Sequence, residues 1–170
     1  MSTTATNEPV TNLKLVLEHV FDVRIDFHQR LVFDAMPGGQ KAAYTSVKSG
    51  TVSGPRLNGK VLDYSGADWP IIRADGVVEL NAHYVLEADD GAHIYIRNLG
   101  YVYGPRSAAD AARSPANPAA TGYFRCTPYF RAPEGPHDWL NRTVVVGGGE
   151  RHAATATAPD HTLFRYYAAL

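Results

Sequence analysis

A chain of 170 residues with 45% hydrophobic and 19% charged residues is the size and composition of one soluble globular domain. Its formal charge of -1 gives no electrostatic reason to bind phosphate backbones, and no apolar run approaches bilayer-spanning length, so neither nucleic acid nor a membrane is an expected partner. The single cysteine, Cys126, excludes an intrachain disulfide and a multi-cysteine zinc site, which fits a cytoplasmic location.

Residues 1–11 lack the basic start and apolar run of a secretory signal and are expected to be a disordered tail ahead of a single domain over residues 12–170. From Leu13, LKLVLEHVFDVRI puts Leu13, Leu15, Leu17, Phe21, Val23 and Ile25 on one face, with Lys14, Glu18, Asp22 and Arg24 opposite, which predicts a long first strand. Strands are then predicted at HQRLVFD (28–34), KAAYTSVKSGTVSG (41–54), LNGKVL (57–62), DWPIIRA (68–74), GVVELNAHYVLEAD (76–89) and DGAHIYIRNLGYVYGP (90–105). The stretch SAADAARSPANPAA (107–120) reads as a surface loop, since its prolines stop any helix after one turn. Three further strands follow at GYFRCTPYFRA (122–132), NRTVVVGG (141–148) and HTLFRYYAAL (161–170).

Glycine and Asx residues between these segments supply tight turns, and no segment offers a helical crossover. An antiparallel sheet this long must close into a barrel or split into a sandwich to protect its edges, and the fold expected is all-β, a single closed or nearly closed antiparallel β-barrel.

Residues 50–105 and 122–151 carry GPRLNGKV, ADW, the RADG turn, DDG, YFR and WLNR in order. On these motifs the chain resembles the domain of unknown function 3237 family, also called the UPF0311 protein family. The resemblance implies a compact antiparallel barrel similar to the allene oxide cyclase and dirigent barrels, and brings no settled activity. Where the family more often reads L-D-A-R-Y this chain has LNAHY, so Asn81 and His83 replace a carboxylate and a guanidinium; Arg131 likewise stands at a usually acidic position.

The strand over 90–105 sends His93, Tyr95, Arg97, Tyr101 and Tyr103 to one side and Ile94, Ile96 and Val102 to the other. In a small closed barrel alternate residues face the lumen, and a barrel of about eight strands can hold one small ligand. If the polar face turns inward, the lumen is a polar and aromatic pocket, to which Glu79, Asn81, His83, Tyr123 and Arg125 would add from neighbouring strands. The alternative is that these faces meet water and Ile94, Ile96, Leu80 and Phe124 fill a conventional core.

On the pocket reading the expected function is a cofactor-independent isomerase, cyclase or lyase acting on an aromatic or polyketide-like molecule held in the lumen. His83 titrates near neutrality and Asp68, beside the Trp69 indole, is a carboxylate kept partly dry; with Tyr95 they are the expected catalytic groups. Trp69, Arg73, Asn81, Arg97, Tyr101, Tyr123, Arg125 and Asn141 are the expected substrate contacts, the arginines holding a carboxylate or enolate through paired donors. For Arg73 and Arg97 an ion pair with Asp75 or Glu79 is the plain alternative. No metal-ligand spacing occurs among the seven histidines, so no metal or other cofactor is expected. The competing readings are a non-catalytic ligand-carrying barrel and a homo-oligomer, dimer or higher, joined through outward apolar residues.

Overall fold

A computed structural model describes residues 14–104 and 122–170. The expected tail at 1–11 and the alanine-rich stretch at 107–120 lie outside the described residues. The two strands expected over 13–25 and 28–34 form one, β1 (Leu17–Val32). Its pairing slips between His19 and Phe21 and again around Phe27. Such bulges bend a strand, so β1 can pair along most of its length with the last strand and along its second half with β2 (Lys41–Ser53).

Three short pieces, β3 (Gly59–Val61), β4 (Ala67–Asp68) and β5 (Ile71–Ile72), share one position between β2 and β6 (Val78–Ala88). Trp69-Pro70 divides β4 from β5, because proline has no N–H for the ladder; the Pro70 carbonyl still accepts the Ala43 N–H at 2.9 Å. A hairpin through Gly91, whose φ of 84° needs glycine, leads to β7 (His93–Tyr103). Then come β8 (Tyr123–Arg131), a 3₁₀ turn at Asp138–Asn141, β9 (Val145–His152) and β10 (His161–Ala169). The strand expected from Asn141 thus starts later, after this turn.

All pairings are antiparallel, and the β1–β2 ladder closes the ring into an eight-position barrel, as the turn spacing predicts. Among the described residues no helix is long and apolar enough to cross a membrane.

The facing of the strands corrects the expectation of a polar lumen. Ile94, Ile96, Tyr84, Leu86, Phe124, Phe130, Phe164 and Tyr166 point inward and are buried. His93, Arg97, Tyr101, Tyr123 and Arg125 point outward and are exposed, while Asn81, His83 and Tyr95 lie half-buried on the same outer face. An eight-strand barrel is just wide enough for side chains to fill it. Burying each isoleucine stabilises the fold by roughly 1.5–3 kcal/mol, whereas an unpaired guanidinium or imidazolium there would lose its hydration. One end of the lumen is closed by Leu57 and Leu140, both joined to the main core cluster. The other end is not filled.

Candidate active site

At that second end the inward positions of β1, β2, β4, β6, β7, β8, β9 and β10 enclose a cavity of about 270 Å³, just below the usual range for small-molecule sites. Phe27, Leu80, Val102, Phe124 and Phe164 form much of its wall. Asp68 enters it because β4 pairs Asp68 with Thr45 and Ala82, two residues that also face inward. Its Oδ1 accepts the Asn81 backbone N–H at 2.9 Å, and it forms no ion pair among the described residues. Burial pushes its carboxyl up to about 6, only partly opposed by backbone hydrogen bonds from Asn81 and Trp69 and by the charge of Arg30.

The floor is polar within an apolar barrel. Asn98, on the inward face of β7, donates from Nδ2 to the Tyr166 hydroxyl at 3.0 Å, and both residues are fully buried. Burial raises the hydroxyls of Tyr84 and Tyr166 well above their ordinary range, so both are protonated, and pushes the neighbouring Cys126 thiol up to about 12, which makes it inert. Tyr84 Oη and Asn98 Oδ1 are sealed within this floor and neither meets full hydrogen-bond geometry, although the Tyr84 and Tyr166 hydroxyls lie close enough to act on one another.

The rim is charged. Arg30 Nε meets Asp160 Oδ2 at 3.0 Å, and Arg151 pairs with the same carboxylate. Arg151 Nη1 also donates to the carbonyls of His152 at 3.1 Å and His161 at 2.8 Å. Both guanidiniums stand beside the Phe27 ring, 5.0 and 5.2 Å from its centroid.

Of the residues expected at the site, Asp68 alone faces this cavity. His83 accepts from or donates to Tyr95 Oη at 2.6 Å through Nδ1 and meets Asn81 Oδ1 at 3.1 Å through Nε2, all on the outside of β6 and β7. Since the Asn81 oxygen can only accept, the arrangement is satisfied by an imidazole protonated at Nε2 that accepts the tyrosine proton at Nδ1. Arg97 Nε donates to the same Asn81 oxygen at 3.2 Å. Arg73 sits in surface ion pairs with Asp75 at 2.7 Å and Glu79 at 3.4 Å. Asn141 is at the closed end, where its amide clamps the backbone N–H and C=O of Ala132, each at 2.9 Å.

Trp69, Asn81, Arg97, Tyr101, Tyr123 and Arg125 do gather around one depression of about 1120 Å³, but it is an open one on the barrel's exterior. It overlies the seam between β8 and β9, where only Arg125 with Gly148 and Cys126 with Gly147 are paired.

Sequence reasoning missed Arg30, Tyr84, Asn98, Arg151 and Tyr166. For three of them the signal was a polar side chain in step with apolar neighbours two residues away: Asn98 after Ile94 and Ile96, Tyr84 before Leu86, and Tyr166 between Phe164 and Ala168.

Residues 15–168 match the profile of DUF3237, a family described as protein of unknown function. A UPF0311 protein of Clostridium acetobutylicum is 32% identical over 161 residues, 93% of this chain and 97% of that protein. A crystal structure of a β-barrel like protein from Acinetobacter baumannii superposes with a TM-score of 0.80 at 26% identity, covering 95% of this chain and 100% of the other. That of an enzyme from Penicillium herquei shares the fold, with a TM-score of 0.66 at 18% identity over 96% of this chain and all of that one.

Proposed function

This chain belongs to the DUF3237 family, and from the cavity its barrel places around Asp68 we propose a cofactor-independent enzyme that moves a proton on a small aromatic or polyketide-like molecule, as an isomerase, cyclase or lyase does. The observation that carries this reading is Asp68 itself: a carboxyl group facing an apolar cavity, without an ion-pair partner among the described residues, and with a pKa of about 6. A base of that pKa is about nine-tenths ionised at pH 7 while remaining a stronger base than an ordinary aspartate.

In this mechanism an Asp68 oxygen takes a proton from a carbon next to a substrate carbonyl. The C–H electron pair moves into the ring or chain, and negative charge develops on the carbonyl oxygen. Tyr84 lines the cavity wall, and in this reading its protonated hydroxyl, which neighbours that of Tyr166, shifts to donate a hydrogen bond to that oxygen. Asp68 then returns the proton to a different carbon, or a leaving group departs and carries the charge away. Positioned acid-base catalysis of this kind supplies roughly 10²- to 10⁴-fold, and the enclosing walls add orientation.

The test is solvent exchange. Bicyclic aryl ketones and 1,3-diketones are incubated with the protein in D₂O, and loss of the α-proton signal is followed by NMR. Exchange is expected to rise with pH through about 6 and then level off, to fall by roughly 10²-fold or more in Asp68→Asn, and to persist in His83→Ala on the outer face. Equal exchange in wild type and Asp68→Asn would overturn the proposal. Ligand binding with no exchange in any variant would favour the carrier reading, which the same cavity serves.

A further inference from the structure

We propose that the open end of the barrel is built for a planar molecule bearing one carboxylate, which the outer edge of the Arg30 guanidinium grips at the rim while the hydrocarbon body lies in the cavity beside Asp68. This rests on the reading of the lumen as the ligand site.

The charges at the rim are unbalanced. Arg30 and Arg151 share one carboxylate, Asp160, so the cluster carries a net positive charge. The two arginines are not equivalent. Arg151 is engaged by Asp160 and by two backbone carbonyls, and it acts as part of the frame. Arg30 comes nearest to Asp160 through Nε, and its Nη groups make no hydrogen bond among the described residues. That leaves a fork of N–H donors at the cavity, and a fork of this geometry matches a carboxylate through two parallel hydrogen bonds.

Charge sets the ligand's valence. The rim offers one surplus positive charge, and the Asp68 carboxylate lies close enough to interact electrostatically with Arg30. A monoanion pairs with that rim charge, whereas a dianion such as a phosphate monoester would add a further negative charge facing Asp68, whose own carboxylate already offsets the rim's surplus when ionised. Shape sets the body. Phe27, Phe124 and Phe164 bound a space of about 270 Å³, which suits a molecule of one or two fused rings. A neutral ligand of the same shape would cover the Arg30 donors without replacing their water, and so would bind more weakly.

The experiment compares 2-naphthoate with 2-naphthamide, which share a ring system and differ in charge, by isothermal titration of the whole protein. Wild type is expected to bind the naphthoate at least about tenfold more tightly, the ratio that one charge-assisted hydrogen bond supports. Arg30→Met removes the guanidinium while keeping an unbranched side chain, and is expected to bring that ratio to within about twofold while naphthamide binding is retained, which also reports an intact fold. Arg30→Lys, with the charge but not the fork, should fall between. Asp68→Asn should keep the preference or enlarge it. A wild type that shows no preference, or no naphthoate binding, overturns the proposal, and so does a preference that survives in Arg30→Met. The proton-exchange assay reads the role of Asp68 separately: a naphthoate preference without exchange leaves the anchor in place and removes the catalysis.

Discussion

Asp68 is a destabilising residue in its ionised form. Its folded pKa of about 6 lies above the ordinary 3.8, so between those values the folded chain holds more protons than the unfolded one, and stability falls as pH rises through that window. A shift of this size corresponds to at most about 3 kcal/mol at neutral pH, all of it absent below about pH 4. Asp68→Asn keeps an oxygen for the Asn81 N–H, so it is expected to raise Tm at pH 7.5 and to leave it nearly unchanged at pH 4. Thermal melts at the two pH values check this, and a variant less stable than wild type at pH 7.5 would contradict the buried placement. Retaining an aspartate at such a cost is what a working site does when stability and activity conflict. The chemistry of this residue was legible in its Trp69-Pro70 surroundings, but the reason was not: the indole is exposed and packs on Tyr44 at 4.6 Å, and the dryness of Asp68 comes from the barrel wall.

At the scale of the element, β9 shows why the glycine run at Gly147–Gly149 follows an apolar strand. A Cβ on Gly147 would lie 2.7 Å from the Tyr166 ring, and one on Gly149 would lie 2.6 Å from the Phe124 ring, so both glycines make room for aromatic side chains of the two flanking strands, β10 and β8. Gly148, between them, points outward, and its nearest neighbour would be the Arg125 guanidinium at 3.6 Å. Alanine at 147 or 149 is expected to cost roughly 1–3 kcal/mol through overpacking, while Gly148→Ala is nearly neutral; urea denaturation of the three variants separates them. Read along the chain, the triplet signals only a flexible hairpin. Its meaning lies in Tyr166, Phe124 and Cys126, which other strands bring opposite it. The same holds for β1, whose alternation over residues 13–25 was legible, while its continuation to Val32 and its bulges were not, because the bulges answer to two different neighbours at once.

For the whole molecule the decisive fact is which face of each strand closed inward. Ile96 and Arg97 are adjacent in β7 and test it directly. Ile96→Ala removes a fully buried side chain and is expected to cost roughly 2–5 kcal/mol, whereas Arg97→Ala removes an exposed one and should stay within about 0.5 kcal/mol. Equal losses would mean that the barrel is not closed as described. A narrow barrel of eight strand positions leaves little choice, since aliphatic and ring side chains fill it with few voids and the charged side chains keep their water. The one exception is the open end, where Asp68, Asn98, Tyr84 and Arg151 interrupt an otherwise apolar interior.

Alternation and turn chemistry along the chain determined that this protein is an antiparallel β-sheet protein, because strand period and glycine conformation are local properties that need no knowledge of partners. Which face is the inside, where the lumen stays unfilled, and what keeps Asp68 dry were decided only by the tertiary structure. Inside and outside exchange under a period of two, and desolvation is a property of everything that surrounds a group, not of its neighbours in sequence.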